Sequence, residues 1–157
     1  MEKLKSIQEI VKIVRQLKKE DKKIVFTNGC FDLLHLGHIR YLRGAKRLGD
    51  VLVIGLNSDH SVSSLKGKGR PLVKEEDRAE VLSALEMVDY IVIFNELTPK
   101  KLIDEIIPDV LVKGGDWKKE GVVGRDTVEA HGGEVIIIPE VKGYSTSALI
   151  KKIQKTS

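Results

Sequence analysis

The sequence predicts an α/β protein in which five parallel strands form a Rossmann-like, doubly wound sheet with helices on both faces. Short, continuously apolar runs alternate with segments of helical periodicity, which is typical of strands buried on both faces of a parallel sheet. Glycine, proline and helix-capping residues separate these segments. The 157 residues suit one compact domain. We therefore expect a single domain over residues 1–157, with an amphipathic helix in residues 1–20 and a Rossmann-like core in residues 24–157.

The first third of the chain begins with an amphipathic helix over residues 4–17, because its apolar residues recur at helical spacing. A polar break over residues 18–23 follows. The pattern then predicts a strand at 24–27, a helix at 37–48 closed by Gly49, and a buried strand at 51–56.

The remainder continues the alternation after a loop rich in glycine and basic residues at 66–71. A helix is predicted over residues 74–87, since acidic residues occupy its first turn. Thr98 and Pro99 indicate a helix N-cap and first helical residue, and this helix must end before Pro108. The other predicted elements are strands at Tyr90–Phe94, 110–112 and Glu134–Ile138, and helices at 127–131 and 147–154.

The composition narrows the class of protein. Hydrophobic residues make up 41% and charged residues 32% of the chain, which indicates a globular protein. The apolar runs are too short to span a bilayer, no signal-peptide pattern opens the chain, and the one cysteine excludes an internal disulfide. We expect a cytoplasmic protein without a membrane partner. The net charge of +4 is dispersed and aromatic residues are only 4%, which argues against nucleic-acid binding but suits polyphosphate ligands.

The candidate functional residues follow the first predicted strand, where parallel sheets bind their ligands. His35, Gly37 and His38 lie there at the start of a predicted helix, and helix N-termini attract phosphate. Surface histidines or metal ligands are the alternatives, although no cysteine or acid pair completes a familiar metal set. The dinucleotide-binding fingerprint and the P-loop motif are both absent.

These residues resemble the HxGH nucleotidyltransferase superfamily, which includes cytidylyltransferases and small adenylyltransferases. The match rests on the string at 26–35, on residues 65–72 with 76–78, and on residues 110–117 and 143–147. Within the superfamily, the combination is most similar to the adenylyltransferases of ADP-heptose synthesis for lipopolysaccharide. The resemblance implies transfer of AMP from ATP to D-glycero-β-D-manno-heptose 1-phosphate, with release of pyrophosphate.

The resemblance also implies roles for particular residues. It assigns catalysis to His35, His38 and Lys66. Nucleotide binding falls to Gly37, to the backbone of Cys30 and Phe31, and to Lys113, Asp116, Tyr144, Ser145, Thr146 and Ser147. Acceptor binding falls to Asp32, Lys68, Arg70 and Trp117.

Simpler interpretations stand beside several of these roles. The basic loop can be an exposed turn, the serine-threonine segment a plain helix cap, and Trp117 a cap on the core edge. Cys30 is interpreted as small packing, and Asp32 either orients the loop or contacts substrate. Arg78 forms either a surface ion pair with Asp77 or Glu75 or a brace for the basic loop.

Two other functions remain open from the sequence. One is a cytidylyltransferase acting on glycerol or ethanolamine phosphate, and the other is a non-catalytic nucleotide-binding module. By resemblance we expect a magnesium ion bridging the phosphates, homo-oligomerisation, and a sugar kinase on a separate polypeptide.

Overall fold

The computed structural model describes residues 1–115 and 118–156, and their sheet confirms the predicted fold class. The five strands are β1 (Ile24–Gly29), β2 (Val51–Asn57), β3 (Tyr90–Phe94), β4 (Val110–Gly114) and β5 (Glu134–Ile138). Their order is β3-β2-β1-β4-β5, and every pairing is parallel. Strand order therefore reverses beside β1, so the carboxyl ends of β1 and β4 lie next to each other at the switch point.

Helices cover both faces of this sheet. The α-helices are α1 (Ile7–Lys19), α2 (Leu36–Lys46), α3 (Asp59–Lys66), α4 (Glu75–Ser83), α5 (Lys100–Ile106), α6 (Arg125–Ala130) and α7 (Thr146–Thr156), and a 3₁₀ turn spans Lys119–Gly121. Side chains alternate along β1, because Ile24 and Phe26 pack with α1, α5 and α6, whereas Val25 packs with α2 and α4. None of the helices in the described part of the chain is long and apolar enough to cross a membrane.

The first helix starts later than its apolar spacing predicts. The Ser6 side chain accepts the N–H of Glu9, and the Glu9 carboxylate accepts the N–H of Ser6. This reciprocal cap begins α1 at Ile7. The prediction for Leu4 was wrong, because Leu4 lies outside the helix and pairs in parallel with Ile91 of β3.

A helix between β2 and the basic loop was missed. Ser58 caps α3 by accepting the N–H of Ser61, and only Ser61 and Val62 of this helix are buried. So short and polar a segment has no apolar stripe for sequence reasoning to detect. The predicted loop therefore begins one residue too early: Lys66 ends α3, and Gly67, with φ +91°, follows it.

Other boundaries differ by a few residues. Helix α2 ends at Lys46 rather than at Leu48. A Cβ on Gly49 would lie 2.6 Å from Val25 Cγ2, so this glycine allows close packing. Pro99 is the N-cap of α5 instead of its first helical residue, while the predicted end before Pro108 is confirmed. The helix predicted at 74–87 ends at Ser83.

Candidate active site

The turn between β1 and α2 forms the centre of the candidate site. Phe31 lies in this turn with φ +48°, a left-handed conformation that is uncommon outside glycine, and its side chain is buried. A Cβ on Gly29 would lie 2.8 Å from Phe31 Cε2, so the glycine makes room for this ring. The Phe31 ring in turn lies 5.4 Å from the His38 ring, measured between centroids. The packing of Phe31 thus supports one of the two predicted catalytic histidines.

The two histidines lie side by side at the start of α2. His35 is the N-cap residue, and its backbone N–H donates to His38 Nδ1 at 3.2 Å. The ring centroids are 3.9 Å apart. Burial, with a smaller effect from His35, lowers the pKa of His38 to about 4. His38 is therefore neutral at pH 7, and because its Nδ1 accepts a hydrogen bond, its proton lies on Nε2.

His35 has an unused polar atom. Its Nδ1 is buried and has no hydrogen-bond partner among residues 1–115 and 118–156. A Cβ on Gly37 would lie 2.9 Å from this nitrogen, so the imidazole ring packs directly over the glycine. Burial also lowers the pKa of His35. The pair thus presents neutral imidazoles at a helix N-terminus, which suits hydrogen bonding to an anion.

Asp32 joins this turn to the basic loop. Its carboxylate accepts the N–H groups of Leu72 and Val73 at 2.9 Å and the Nε–H of Arg70 at 2.8 Å. Burial raises the pKa of Asp32, but these amides and the Arg70 guanidinium outweigh it, so the pKa lies below its ordinary value. The side chain is only 1% exposed. Of its two suggested roles, the geometry matches loop orientation, and acceptor binding by Asp32 stays a prediction.

Cationic side chains gather around the same turn. Lys66 ends α3, and Lys68 is exposed between Gly67 and Gly69, both of which have positive φ. Lys113 lies at the end of β4, where burial lowers its pKa and the nearby Lys66 ammonium adds to this effect. Such a group of cations at the switch point favours a polyanionic ligand.

Cys30 lies within this positive field. Burial raises the pKa of its thiol, although the charges of Lys66, Arg78 and Arg70 oppose that shift. The thiol is therefore protonated at neutral pH and is a poor nucleophile. A protonated thiol agrees with the interpretation of Cys30 as a small packing residue, and ligand contact by the Cys30 backbone stays a prediction.

The segment at the start of α7 reaches the same place. The Tyr144 ring stacks on His35 with centroids 6.3 Å apart. Ser145 Oγ accepts the N–H of Ala148, so Ser145 caps α7, while Thr146 Oγ1 donates to the Leu33 carbonyl. Ser147 is exposed on the first turn. Capping by Ser145 is thus present, and ligand binding by Tyr144 and residues 145–147 stays a prediction.

Two predicted site residues, Asp116 and Trp117, lie outside the described residues. The other predicted residues lie on segments that follow the carboxyl ends of the strands. Within the basic loop, Arg70 is held by Asp32, whereas Lys66 and Lys68 are exposed. In the described part of the chain, no group of three or more histidine, cysteine or acidic side chains could hold a metal ion.

Sequence reasoning undervalued Arg78. A surface ion pair with Asp77 or Glu75 was wrong, because Arg78 is 2% exposed and donates to three backbone carbonyls and to Asp59. The sequence contains only a weak signal of this burial: Arg78 precedes Leu82 by four residues, so both lie on the same face of α4.

A Rossmann-like sheet with paired histidines at the N-terminus of α2, beside a basic loop, is typical of a nucleotidyltransferase. Comparison with known proteins agrees. The family model described as Cytidylyltransferase-like matches residues 26–152. The chain therefore belongs to the Cytidylyltransferase-like family and is a nucleotidyltransferase enzyme.

The chain is also similar to individual curated proteins over nearly its whole length. The chain is 56% identical over 151 residues to "Bifunctional protein HldE" of Geobacter metallireducens, covering 96% of this chain and 31% of that protein. The protein of the same name from Wolinella succinogenes is 56% identical over 153 residues, with 98% and 31% covered. The chain thus spans about a third of the length of these curated relatives.

Solved structures agree with the fold. The lipopolysaccharide core biosynthesis protein from Thermoplasma volcanium GSS1 is 34% identical with a TM-score of 0.63, covering 79% of this chain and 99% of that one. Pantoate-beta-alanine ligase from Francisella tularensis, complexed with β-γ ATP and β-alanine, has a TM-score of 0.62 at 16% identity, with 98% and 79% covered. The second likeness shows the fold alone.

Proposed function

We propose that this protein transfers AMP from ATP to D-glycero-β-D-manno-heptose 1-phosphate, giving ADP-heptose and pyrophosphate for lipopolysaccharide precursor synthesis. The observation that carries the proposal is the pair of neutral imidazoles at the start of α2, with their rings 3.9 Å apart and His35 Nδ1 unpartnered in the described part of the chain. The relatives named HldE, and the relative described by lipopolysaccharide core biosynthesis, support the choice of substrate.

In the proposed reaction, an oxygen of the sugar phosphate attacks the α-phosphorus of ATP. The bond between that phosphorus and the bridging oxygen of the β-phosphate breaks, and pyrophosphate leaves with the electron pair. No covalent bond to the protein is needed, so catalysis consists of positioning and charge stabilisation. A protonated Cys30 thiol, whose pKa is raised by burial, agrees with such a mechanism.

His38 contributes to this step as a neutral donor. Its proton lies on Nε2, because Nδ1 accepts the His35 N–H, and the Nε2–H group donates to an oxygen of the reacting phosphates. The positive end of the α2 dipole also stabilises negative charge on that oxygen. His35 holds the neighbouring phosphate oxygen, and the ring of Tyr144 stacks on the His35 ring.

Lys66, Lys68 and Arg70 neutralise the phosphate charge that accumulates when two anionic substrates meet, and Lys113 acts from the end of β4. Arg70 is already oriented by Asp32, whereas Lys66 and Lys68 are exposed and can follow the substrate. A magnesium ion bound with ATP would supply further neutralisation of the phosphate charge.

The proposal also includes the ligands, the compartment, the oligomeric state and the source of the sugar phosphate. ATP and a phosphorylated sugar are the ligands, the compartment is the cytoplasm, and the protein forms a homo-oligomer. The sugar 1-phosphate comes from a sugar kinase reaction. The relatives called bifunctional carry the matched region within a longer protein.

The test is pyrophosphate release by the purified protein with Mg²⁺, D-glycero-β-D-manno-heptose 1-phosphate and either ATP or CTP. We expect release with ATP and little with CTP. Release with CTP only, or only with glycerol or ethanolamine phosphate, would replace the substrates and keep the chemistry. Nucleotide binding without pyrophosphate release from any phosphorylated acceptor would refute the proposed reaction.

A further inference from the structure

Arg78 connects three separate segments of the candidate site. Its Nε donates to the Val73 carbonyl at 2.8 Å, its Nη1 to the carbonyls of Cys30 at 2.7 Å and Asn57 at 2.8 Å, and its Nη2 to Asp59 Oδ1 at 2.8 Å. A buried guanidinium must be paired or hydrogen-bonded to be tolerated. These acceptors belong to the turn after β1, to the end of β2 with the start of α3, and to the segment that follows the basic loop.

The contacts of Arg78 form a closed ring with those of Asp32. Arg78 holds the Cys30 carbonyl, while the Asp32 carboxylate holds the Val73 N–H at 2.9 Å. The Val73 carbonyl accepts a hydrogen bond from Arg78 Nε, which closes the ring. Phe31 lies between the two held residues, Cys30 and Asp32, and has the left-handed φ of +48°. A bulky residue keeps such a conformation only when its surroundings determine it, and this ring does so from both sides.

We propose that Arg78 is a positioning residue of the active site. Its guanidinium fixes the Cys30–Phe31 backbone relative to residues 70–73, so that the turn and the cations of the basic loop reach the same phosphates. This inference rests on the proposed function. The positioning role requires arginine, because one planar guanidinium donates to acceptors in several directions. A lysine ammonium is instead a compact charge on a flexible stem.

The main test substitutes Arg78→Lys, which keeps the positive charge and removes the fork. The matched control is Arg125→Lys, at an arginine that pairs with Glu129 on the surface of α6. Calorimetry measures the affinity for inorganic pyrophosphate, and kinetics with ATP and the sugar phosphate measure kcat and KM. We expect Arg78→Lys to weaken pyrophosphate binding by at least about 10-fold and to lower kcat/KM by about 100-fold. Arg125→Lys should match the unmodified protein in its pyrophosphate affinity and in its kcat/KM.

A purely structural role for Arg78 would lower the melting temperature and leave the pyrophosphate affinity of the folded protein unchanged. Pyrophosphate affinity and kcat/KM within about threefold of the unmodified protein would likewise overturn the proposal. If Arg78→Lys does not fold, Asp59→Asn removes one charged partner, whose side chain is 39% exposed. This variant should weaken pyrophosphate binding at least about threefold, and unchanged affinity would overturn the proposal.

The two proposals fail in different ways. An unmodified protein that binds pyrophosphate but releases none from ATP with any phosphorylated sugar would refute the proposed function. The comparison of affinities would still decide the role of Arg78. An unmodified protein that does not bind pyrophosphate at all would refute both.

Discussion

The substitution His38→Asn separates the two functions of one imidazole. In the folded protein, His38 Nδ1 accepts the N–H of His35 at 3.2 Å, whereas the Nε2–H group is the proposed donor to phosphate. An asparagine side chain places its carbonyl oxygen near the position of Nδ1, so the start of α2 keeps its hydrogen bond. It has no group at the position of Nε2. The variant therefore removes the donor and retains the helix cap.

The expected magnitudes differ for activity and for stability. Loss of one preorganised donor to a transition-state oxyanion typically costs about 100- to 1,000-fold in kcat, or roughly 3–4 kcal/mol. Loss of a helix-capping hydrogen bond costs about 1 kcal/mol of unfolding free energy. We therefore expect His38→Asn to lower kcat about 100-fold or more while changing the unfolding free energy by less than about 1 kcal/mol. His38→Ala should lose both the activity and the cap.

The assay is pyrophosphate release at saturating ATP and sugar phosphate, with urea unfolding measured on the same preparations. His131→Asn is the control, because His131 is the exposed C-cap residue of α6 and its Nδ1 pairs with the Thr127 carbonyl of the same helix. A kcat for His38→Asn within about threefold of the unmodified protein would refute the donor role. A large fall in stability without a fall in kcat per folded molecule would refute the separation of functions.

Three further predictions follow from the same geometry. Gly37→Ala should lower turnover at least about 10-fold in the pyrophosphate assay without loss of helix stability, because the new Cβ would lie 2.9 Å from His35 Nδ1 while alanine favours the helix. Asp32→Asn should destabilise the fold by about 1–3 kcal/mol in urea, since three donors lose a charged acceptor. Unfolding free energy should fall as the pH drops from about 6.5 to 4, because unfolded His38 binds a proton near 6.5 and folded His38 only near 4. His38→Asn should reduce this fall, and an unchanged pH dependence would count against the shift.

The sheet and the location of the site were predictable from the sequence. The bounds of β3 and β5 agree with those predicted from the sequence, because a short, mostly apolar run next to turn residues indicates each strand. Parallel strands also place their carboxyl ends at one edge. The turn carrying His35 and His38, the end of β4 and the start of α7 therefore had to lie near each other once the strand order was expected.

The start of α1, the short helix α3 and the burial of Arg78 depend on contacts between distant segments, which local sequence patterns do not reveal. Leu4 has helical spacing but pairs with Ile91, which lies 87 residues further along the chain. Helix α3 is held by the Ser58 cap rather than by an apolar stripe. The burial of Arg78 requires acceptors from three segments to meet, and a charged residue in a helix is usually exposed. Each of these errors arises where tertiary contacts outweigh local propensity.

The site assigns different physical roles to its histidines and its cations. The lysines of the basic loop carry full charges on exposed side chains, so they can attract two anionic substrates and adjust to them. His38 is instead neutral and fixed by the His35 N–H and the Phe31 ring. A neutral donor avoids the cost of burying a cation beside the His35 ring and needs no reorganisation when charge develops on the phosphate. A bound triphosphate would favour the imidazolium form, but the pKa of His38 begins at about 4. The ring can therefore gain proton affinity on binding and still act at pH 7 as a hydrogen-bond donor.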